Sequence, residues 1–359
     1  MAINRIEIKD FLVFKGDFAA DFCPGVNVLI GGNATGKTTL LKVLYWACEV
    51  ADTSISTSNS RTINLIPHFF LKDFFGGQND SVLSDDVDEN FSKIRISEFS
   101  EGENVPALNA SIDKSLIISH YNNKFPIEIN ELYLWFNRKK AAVFIPTTEM
   151  LSHSRGFLAL NKERAIPFDK TEIDIISKAE LGPTREITPN AAIVLERLAD
   201  VIGGTVSHDG KDFFVEKTGQ NIKIPFSFEA SGYRKLGLLW KLLRNGLLES
   251  GSILFWDEPE NSLNPEHVPV LVDILRILAR NGVQIFIATH NYNLARYFDV
   301  RKDKSVPVMF HNLSKPNDDQ IVCKSSPEYL KLPDNLLEET SEKLFNTVIA
   351  DALGVQNDE

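Results

Sequence analysis

Gly31-Gly32-Asn33-Ala34-Thr35-Gly36-Lys37-Thr38-Thr39 is the stretch that most narrows what this chain can fold into. It fills the pattern G-x-x-x-x-G-K-[ST] with Gly31, Gly36, Lys37 and Thr38. The run before it, Val26-Asn27-Val28-Leu29-Ile30, is short, largely apolar and rich in β-branched residues, as a buried strand requires. Residues 40–47 after it are apolar on nearly every side, which suits a helix sandwiched within a core. Strand, glycine-rich turn and helix in that order make a cradle for phosphate. The glycines let successive N–H groups point into one concavity, and the helix adds the positive end of its dipole. Lys37 is placed to reach the β- and γ-phosphates of a nucleotide, and the Thr38 hydroxyl to sit on Mg²⁺. A purely structural turn is the alternative. In a chain of ordinary composition, a chance match to this pattern arises roughly once in a hundred sequences.

Two further stretches end at the edge of a predicted sheet. Ile253-Leu254-Phe255-Trp256 runs straight into Asp257-Glu258-Pro259-Glu260. Carboxylates therefore stand at the C-terminal end of a buried strand, where open α/β sheets bind ligands. Asp257 is the candidate Mg²⁺ partner opposite Thr38. Glu258, pointing elsewhere, is the candidate to orient or deprotonate an attacking water. Taken alone, the two acids could equally be a solvated loop. Val283-Gln284-Ile285-Phe286-Ile287-Ala288 has the same buried-strand character and leads to Thr289-His290. That aims His290 at the same edge, as a sensor of the γ-phosphate. The remaining six histidines show no ligand spacing. Ser231 and Gly232 open an amphipathic helix carrying Leu236, Leu239, Trp240 and Leu243. Free N–H groups and a hydroxyl at a helix start make a second anion site. Ser231 as an ordinary N-cap is the competing account.

Strands and helices alternate around these motifs, which predicts an α/β fold with a mostly parallel sheet and helices on both faces. Residues 1–50 read as an N-terminal β element, a third strand, the loop and its helix. Residues 51–140 change character: a polar stretch at 54–60, an acidic loop at 84–90, and short alternating strands such as Lys93-Ile94-Arg95-Ile96. They read as an inserted α+β region, partly mobile. Residues 141–145 return to a core strand that stops at Pro146. Helices are expected over 171–178, 189–202, 233–248, 266–280 and 336–353. Between them, 205–225 reads as a small meander with turns at Asp209-Gly210 and Thr218-Gly219. Residues 301–359 form a C-terminal extension.

Composition closes off several function classes. No run of eighteen apolar residues spans a membrane, and the N-terminus does not resemble a signal peptide. Cys23, Cys48 and Cys323 lie far apart with no C-x-x-C pair, so neither a disulfide framework nor a zinc site is expected. A reducing cytoplasm is the expected location. The net charge of -11 gives no overall field toward nucleic acid. Asn137-Arg138-Lys139-Lys140 is one short basic cluster, read as a solvated loop.

The order of these elements resembles the ABC-type ATPase heads of the SMC, RecF and OLD branch, a P-loop NTPase fold. Ile8-Lys9-Asp10-Phe11 resembles its opening, Asp257 to Pro265 its Walker B segment and D-loop, and Ala288-Thr289-His290 its switch histidine. The resemblance covers 1–50 and 141–300, read as one discontinuous head. No long heptad stretch provides an SMC-type arm, so the chain is most similar to stand-alone AAA-family (AAA_15/AAA_21-like) ATPases, often found in bacterial defence modules beside an effector. The resemblance implies ATP and Mg²⁺ as cofactors, with residues 31–39 holding the phosphates. It also implies a homodimer that traps two ATP molecules, with Ser231 and Gly232 touching the γ-phosphate on the other subunit's Lys37. Glu258 and His290 then carry hydrolysis to ADP and phosphate. A separate protein effector, for example a nuclease, in phage defence or DNA maintenance, is the implied partner. Departures are Tyr233 where a second signature glycine is usual, Ala34 for a common loop glycine, Asn264 for the D-loop acid, and Glu149 where many relatives place a glutamine. The alternatives are an OLD-type nuclease, for which the residues after His290 hold no acidic cluster spaced for two metals, and a transporter's nucleotide-binding subunit, which the altered signature disfavours.

Overall fold

The computed structural model describes residues 2–52, 91–98, 115–121, 141–164, 168–317 and 320–353. The polar stretch 54–60, the acidic loop 84–90 and the basic cluster 137–140 lie outside the described residues. The central sheet has six strands. Strand β3 (Val26–Gly31) lies between β11 (Gln284–Ala288) and β12 (Val308–Asn317); beyond β11 come β10 (Ile253–Asp257) and β6 (Ala142–Ile145), and beyond β12 comes β13 (Gln320–Ser326). All neighbours run parallel except β13, which is antiparallel to β12. This is the expected α/β architecture, with one antiparallel edge.

Each parallel strand is buried on both faces, so its residues divide between two cores by strict alternation. Val28, Val143, Leu254 and Ile285 join one core, while Leu29, Phe144, Phe255 and Phe286 join the other. The first core packs under helices α3 (Lys170–Glu180), α4 (Pro189–Ile202), α5 (Ser231–Arg244), α6 (Val268–Arg280) and α7 (Tyr292–Val300). The second encloses α1 (Lys37–Asp52), in which Leu40, Leu41, Val43, Leu44, Tyr45, Trp46, Ala47 and Cys48 are all buried. On the far side of α1 lies a second, antiparallel sheet: β2 (Phe14–Asp21), β1 (Ile3–Phe11), β4 (Phe91–Glu98) and β5 (Ser115–Tyr121). The all-round apolar helix is thus sandwiched as its composition demands. A hairpin turn at Leu12-Val13 sets the break between β1 and β2, with Leu12 at φ 53°. The meander forms as β7 (Gly204–His208), β8 (Phe213–Lys217) and β9 (Lys223–Pro225).

Three local readings are corrected. The amphipathic helix ends at Arg244 rather than 248, because Gly246 takes φ 74° and closes a Schellman motif. In it, Gly246 N–H donates to Leu243 O and Leu247 N–H to Leu242 O. Ser231 is not the N-cap: Ala230 occupies that position, with no side-chain cap. Helices α2 (Phe157–Arg164) and α7, and strands β12 and β13, were not foreseen. The two strands belong to the central sheet itself, β12 pairing from Val308↔Val26 to Leu313↔Gly31. The late helix, α8 (Leu336–Leu353), falls where its pattern places it.

Candidate functional site

The C-terminal edge of the parallel sheet brings together the glycine-rich loop, the acids after β10 and His290. At the end of β3 the chain enters the glycine-rich loop. Gly31 has φ 143°, and a Cβ there would lie 2.2 Å from the Leu313 carbonyl of β12, so only glycine permits this approach. Gly36 has φ 83° and packs against Val13 and Phe14 of the N-terminal hairpin, which buttresses the loop from behind. Ala34 also takes a left-handed conformation, φ 57°, the usual domain of glycine. Asn33, Ala34 and Thr38 are exposed, Gly32 and Thr39 are half-buried, and Thr35 is buried with its hydroxyl donating to Gly32 O at 2.9 Å. Helix α1 starts at Lys37, so the first amides of its N-terminus face the loop's concavity.

Lys37 is buried, yet among the described residues no carboxylate pairs with it directly. Its ammonium donates to Gly31 O at 3.0 Å and Gly32 O at 2.7 Å. Burial lowers its pKa from the usual 10.5 to about 8, against the pull of Asp257 and Glu258. A desolvated cation held only by neutral carbonyls is poised for an anionic ligand. One residue on, the Thr38 hydroxyl donates to Asp257 Oδ2 at 2.9 Å, closing a gap of 219 positions in sequence. Asp257 is also buried, and burial raises its pKa while the hydroxyls of Thr38 and Thr147 hold it down. A hydroxyl and a carboxylate at one spot, beside a phosphate cradle, suit Mg²⁺, which takes few protein ligands and leaves other positions to phosphate oxygens and water. Among the described residues no cluster of three or more His, Cys, Asp or Glu side chains makes a separate metal site.

Glu258 turns away from Asp257 because its backbone is left-handed, φ 48°. That conformation is pinned from both sides: Glu258 N–H donates to Ala288 O at 2.9 Å, and Lys235 Nζ donates to Glu258 O at 3.1 Å. The carboxylate is half-exposed and lies 3.7 Å from His290 Nε2. Burial lowers the His290 pKa, and the Lys37 charge lowers it further, against the pull of Glu258 and Asp257. Thr289 donates to Glu260 Oε1 at 2.6 Å, locking the two strand ends together.

Ser231 and Gly232 lie in the first turn of α5. A Cβ on Gly232 would come 2.8 Å from the Ser262 carbonyl, so the helix start packs against the loop following β10. Tyr233, in the place of the second signature glycine, turns its ring toward His267 at 5.9 Å. Glu149 lies 3.1 Å from Arg234 of the same helix and also accepts from Leu151 N–H at 2.6 Å. It anchors α5 within its own chain. Thr147, Arg234, Lys235 and Glu260 also reach this edge, although the motifs do not mark them. Only the acid at 260 carried any sequence signal, through its place after the strand.

Residues 26–296 match a family model described as "AAA domain, putative AbiEii toxin, Type IV TA system". The chain is similar to the DNA replication and repair protein RecF of Lactobacillus gasseri, 48% identical over 46 residues, and to RecF of Oenococcus oeni, 47% identical over 45 residues. Each match spans 12% of the RecF protein, and 13% and 12% of this chain respectively. Among solved structures, the SMC head domain from Thermotoga maritima aligns with a TM-score of 0.51 at 13% identity, covering 91% of this chain and 99% of that one. The SMC head bound to the C-terminal winged-helix domain of ScpA aligns with a TM-score of 0.54 at 13% identity, over 91% and 98%. The fold is that of an SMC head domain, as the sequence motifs implied.

Proposed function

Because the chain belongs to the AAA-domain family that its residues 26–296 match, we propose that it binds and hydrolyses ATP and that ATP closes two copies head to head. The observation that carries this reading is the Thr38–Asp257 hydrogen bond, with Lys37 and Glu258 on the same sheet edge. Residues 31–39 and the N-terminus of α1 bind the triphosphate, and Lys37 exchanges its two carbonyl partners for phosphate oxygens. Thr38 and Asp257 would hold Mg²⁺, which would supply neutralisation of phosphate charge. Glu258 orients a water toward the γ-phosphorus and accepts its proton, while neutral His290 donates a hydrogen bond beside it. The second copy contributes Ser231 and Gly232, whose amides complete the γ-phosphate site and exclude bulk water.

Hydrolysis then releases the pair, and the open–closed cycle drives or restrains a separate protein effector. The head comprises 1–50 and 141–300 in this proposal, with β12 and β13 completing its sheet. The family description names a toxin of a toxin–antitoxin system, and the SMC head structure holds a ScpA domain. Both support a regulated partner, in phage defence or DNA maintenance. Among the described residues no helix is long and apolar enough to cross a membrane. Phosphate release from Mg-ATP by the parent chain, absent in Lys37→Ala, tests the catalytic part. Sedimentation of Glu258→Gln with and without ATP tests the pairing; a chain that remains single at saturating ATP removes it.

A further inference from the structure

Helix α8 buries none of its residues. Leu344, Phe345 and Val348 are 67%, 65% and 58% exposed, and Leu353 follows at 72%. Leu344, Phe345 and Val348 share one face and present apolar surface on the order of a few hundred Å², a size that marks an interaction site. The helix begins at the phosphate loop: Leu336 Cδ1 lies 3.9 Å from the position of a Cβ on Gly32. Asn312 of β12 fastens that end, its amide donating to Pro333 O at 2.9 Å and Asp334 O at 2.6 Å. From there α8 passes the switch histidine, leaving a cavity of about 570 Å³. Leu344, Phe345 and Val348 form one wall, and His290, Asn291 and Tyr292 the other. This apolar groove therefore opens on the nucleotide edge of the sheet.

A matching knob exists on the same chain. In the short turn before α5, Phe226 is 1% exposed while Phe228 is 81% exposed. The turn is held in place by the Glu229–Lys217 ion pair at 2.6 Å, so Phe228 is presented on an anchored segment. Only two residues separate it from Ser231.

We propose that Phe228 of one copy seats in the α8 groove of the other when two copies close over ATP. This rests on the pairing proposed above, which brings the second copy's Ser231 and Gly232, and Phe228 with them, to the phosphate loop where α8 begins. The contact occurs twice across the two-fold axis. It adds water-excluding apolar burial beside His290 that phosphate contacts alone do not supply.

The test uses the full chain carrying Glu258→Gln with Mg-ATP. Phe228→Ala and Val348→Asp are each expected to weaken pairing at least about tenfold in sedimentation, with ATP binding by the single chain unchanged. Both positions are exposed, so melting should match the parent. In a Cys323→Ser background, Phe228→Cys with Val348→Cys should cross-link between chains through a bifunctional maleimide only when ATP is present. If Glu258→Gln pairs on ATP equally tightly with either substitution, and the cysteines do not cross-link, the groove contact is overturned while pairing stands. If Glu258→Gln itself stays single with ATP, pairing fails and the contact falls with it.

Discussion

The two ends of the central sheet both bury polar side chains, and they treat them in opposite ways. At the N-terminal end the groups are neutral and satisfied within the chain. Gln284 accepts from Ile3 N–H at 2.8 Å and donates to Ile3 O at 2.7 Å and Cys23 O at 2.8 Å. Asn27 accepts from Cys23 N–H and donates to Cys23 O, both at 2.9 Å. His311 sits between Ser325 Oγ at 2.8 Å and Asn27 Oδ1 at 3.2 Å. At the C-terminal end the buried groups are ionisable and incompletely matched. Among the described residues Lys37 has only carbonyls and Glu260 Oε2 and Arg234 Nε have no partner, and Ala34 and Glu258 hold left-handed backbones. A buried polar group closed on itself specifies the fold. One left open holds free energy that a ligand can release.

The largest test of that contrast is at Glu258. Glu258→Gln keeps the size and the backbone pins, so folding and ATP binding should persist while phosphate release falls roughly 10²- to 10⁴-fold. An unchanged rate would make the carboxylate a bystander. At the other end, Gln284→Ala strands the Ile3 and Cys23 backbone groups and should cost about 3 kcal/mol in denaturant unfolding, with the Michaelis constant for ATP unmoved. A shift in ATP affinity there would mean the ends are coupled rather than separate.

Proton linkage distinguishes the ends more finely. Without nucleotide, the folded chain releases the Lys37 proton near pH 8, while the unfolded chain keeps it to about 10.5. The unfolded state then binds more protons between those values, so this group's contribution to stability rises across that window and is unfavourable below it. Phosphates restore the ammonium. ATP binding should therefore take up protons above pH 8 and weaken toward 10.5, read by calorimetry in buffers of different ionisation heat. At the closed end, burial depresses His311 from 6.5 to about 3. Its contribution is present above 6.5 and is lost as pH falls toward 3, with no effect on nucleotide. The smallest effect is at Ala34. Ala34→Gly relieves φ 57° and should stabilise by about 0.5–1 kcal/mol in thermal unfolding, leaving ATP affinity in place.

How much of this was legible follows the same division. The open end was readable because its chemistry is local: a phosphate loop, an acid pair and a histidine each sit just past a strand, and strand ends in a parallel sheet converge. The sandwiched α1 and the helix over 189–202 were readable from period and punctuation. Thr147, Arg234 and Lys235 were not, since a lone threonine or a cation on a helix carries no mark of the loop it will reach. Strands β12 and β13 were missed because residues 308–326 mix Ser, Lys, His, Asn and Pro with few apolar residues. Only the pairing of β12 against β3 and of β13 against β12, with the burial of His311 and Asn312, makes that composition intelligible.

The most direct test of the account is a paired measurement on three chains, parent, Lys37→Ala and Glu258→Gln: ATP bound per chain and phosphate released over time. The account predicts one ATP per chain for parent and Glu258→Gln, release only from the parent, and neither binding nor release for Lys37→Ala. Parental phosphate release by Glu258→Gln, or ATP bound equally well by Lys37→Ala, would contradict it.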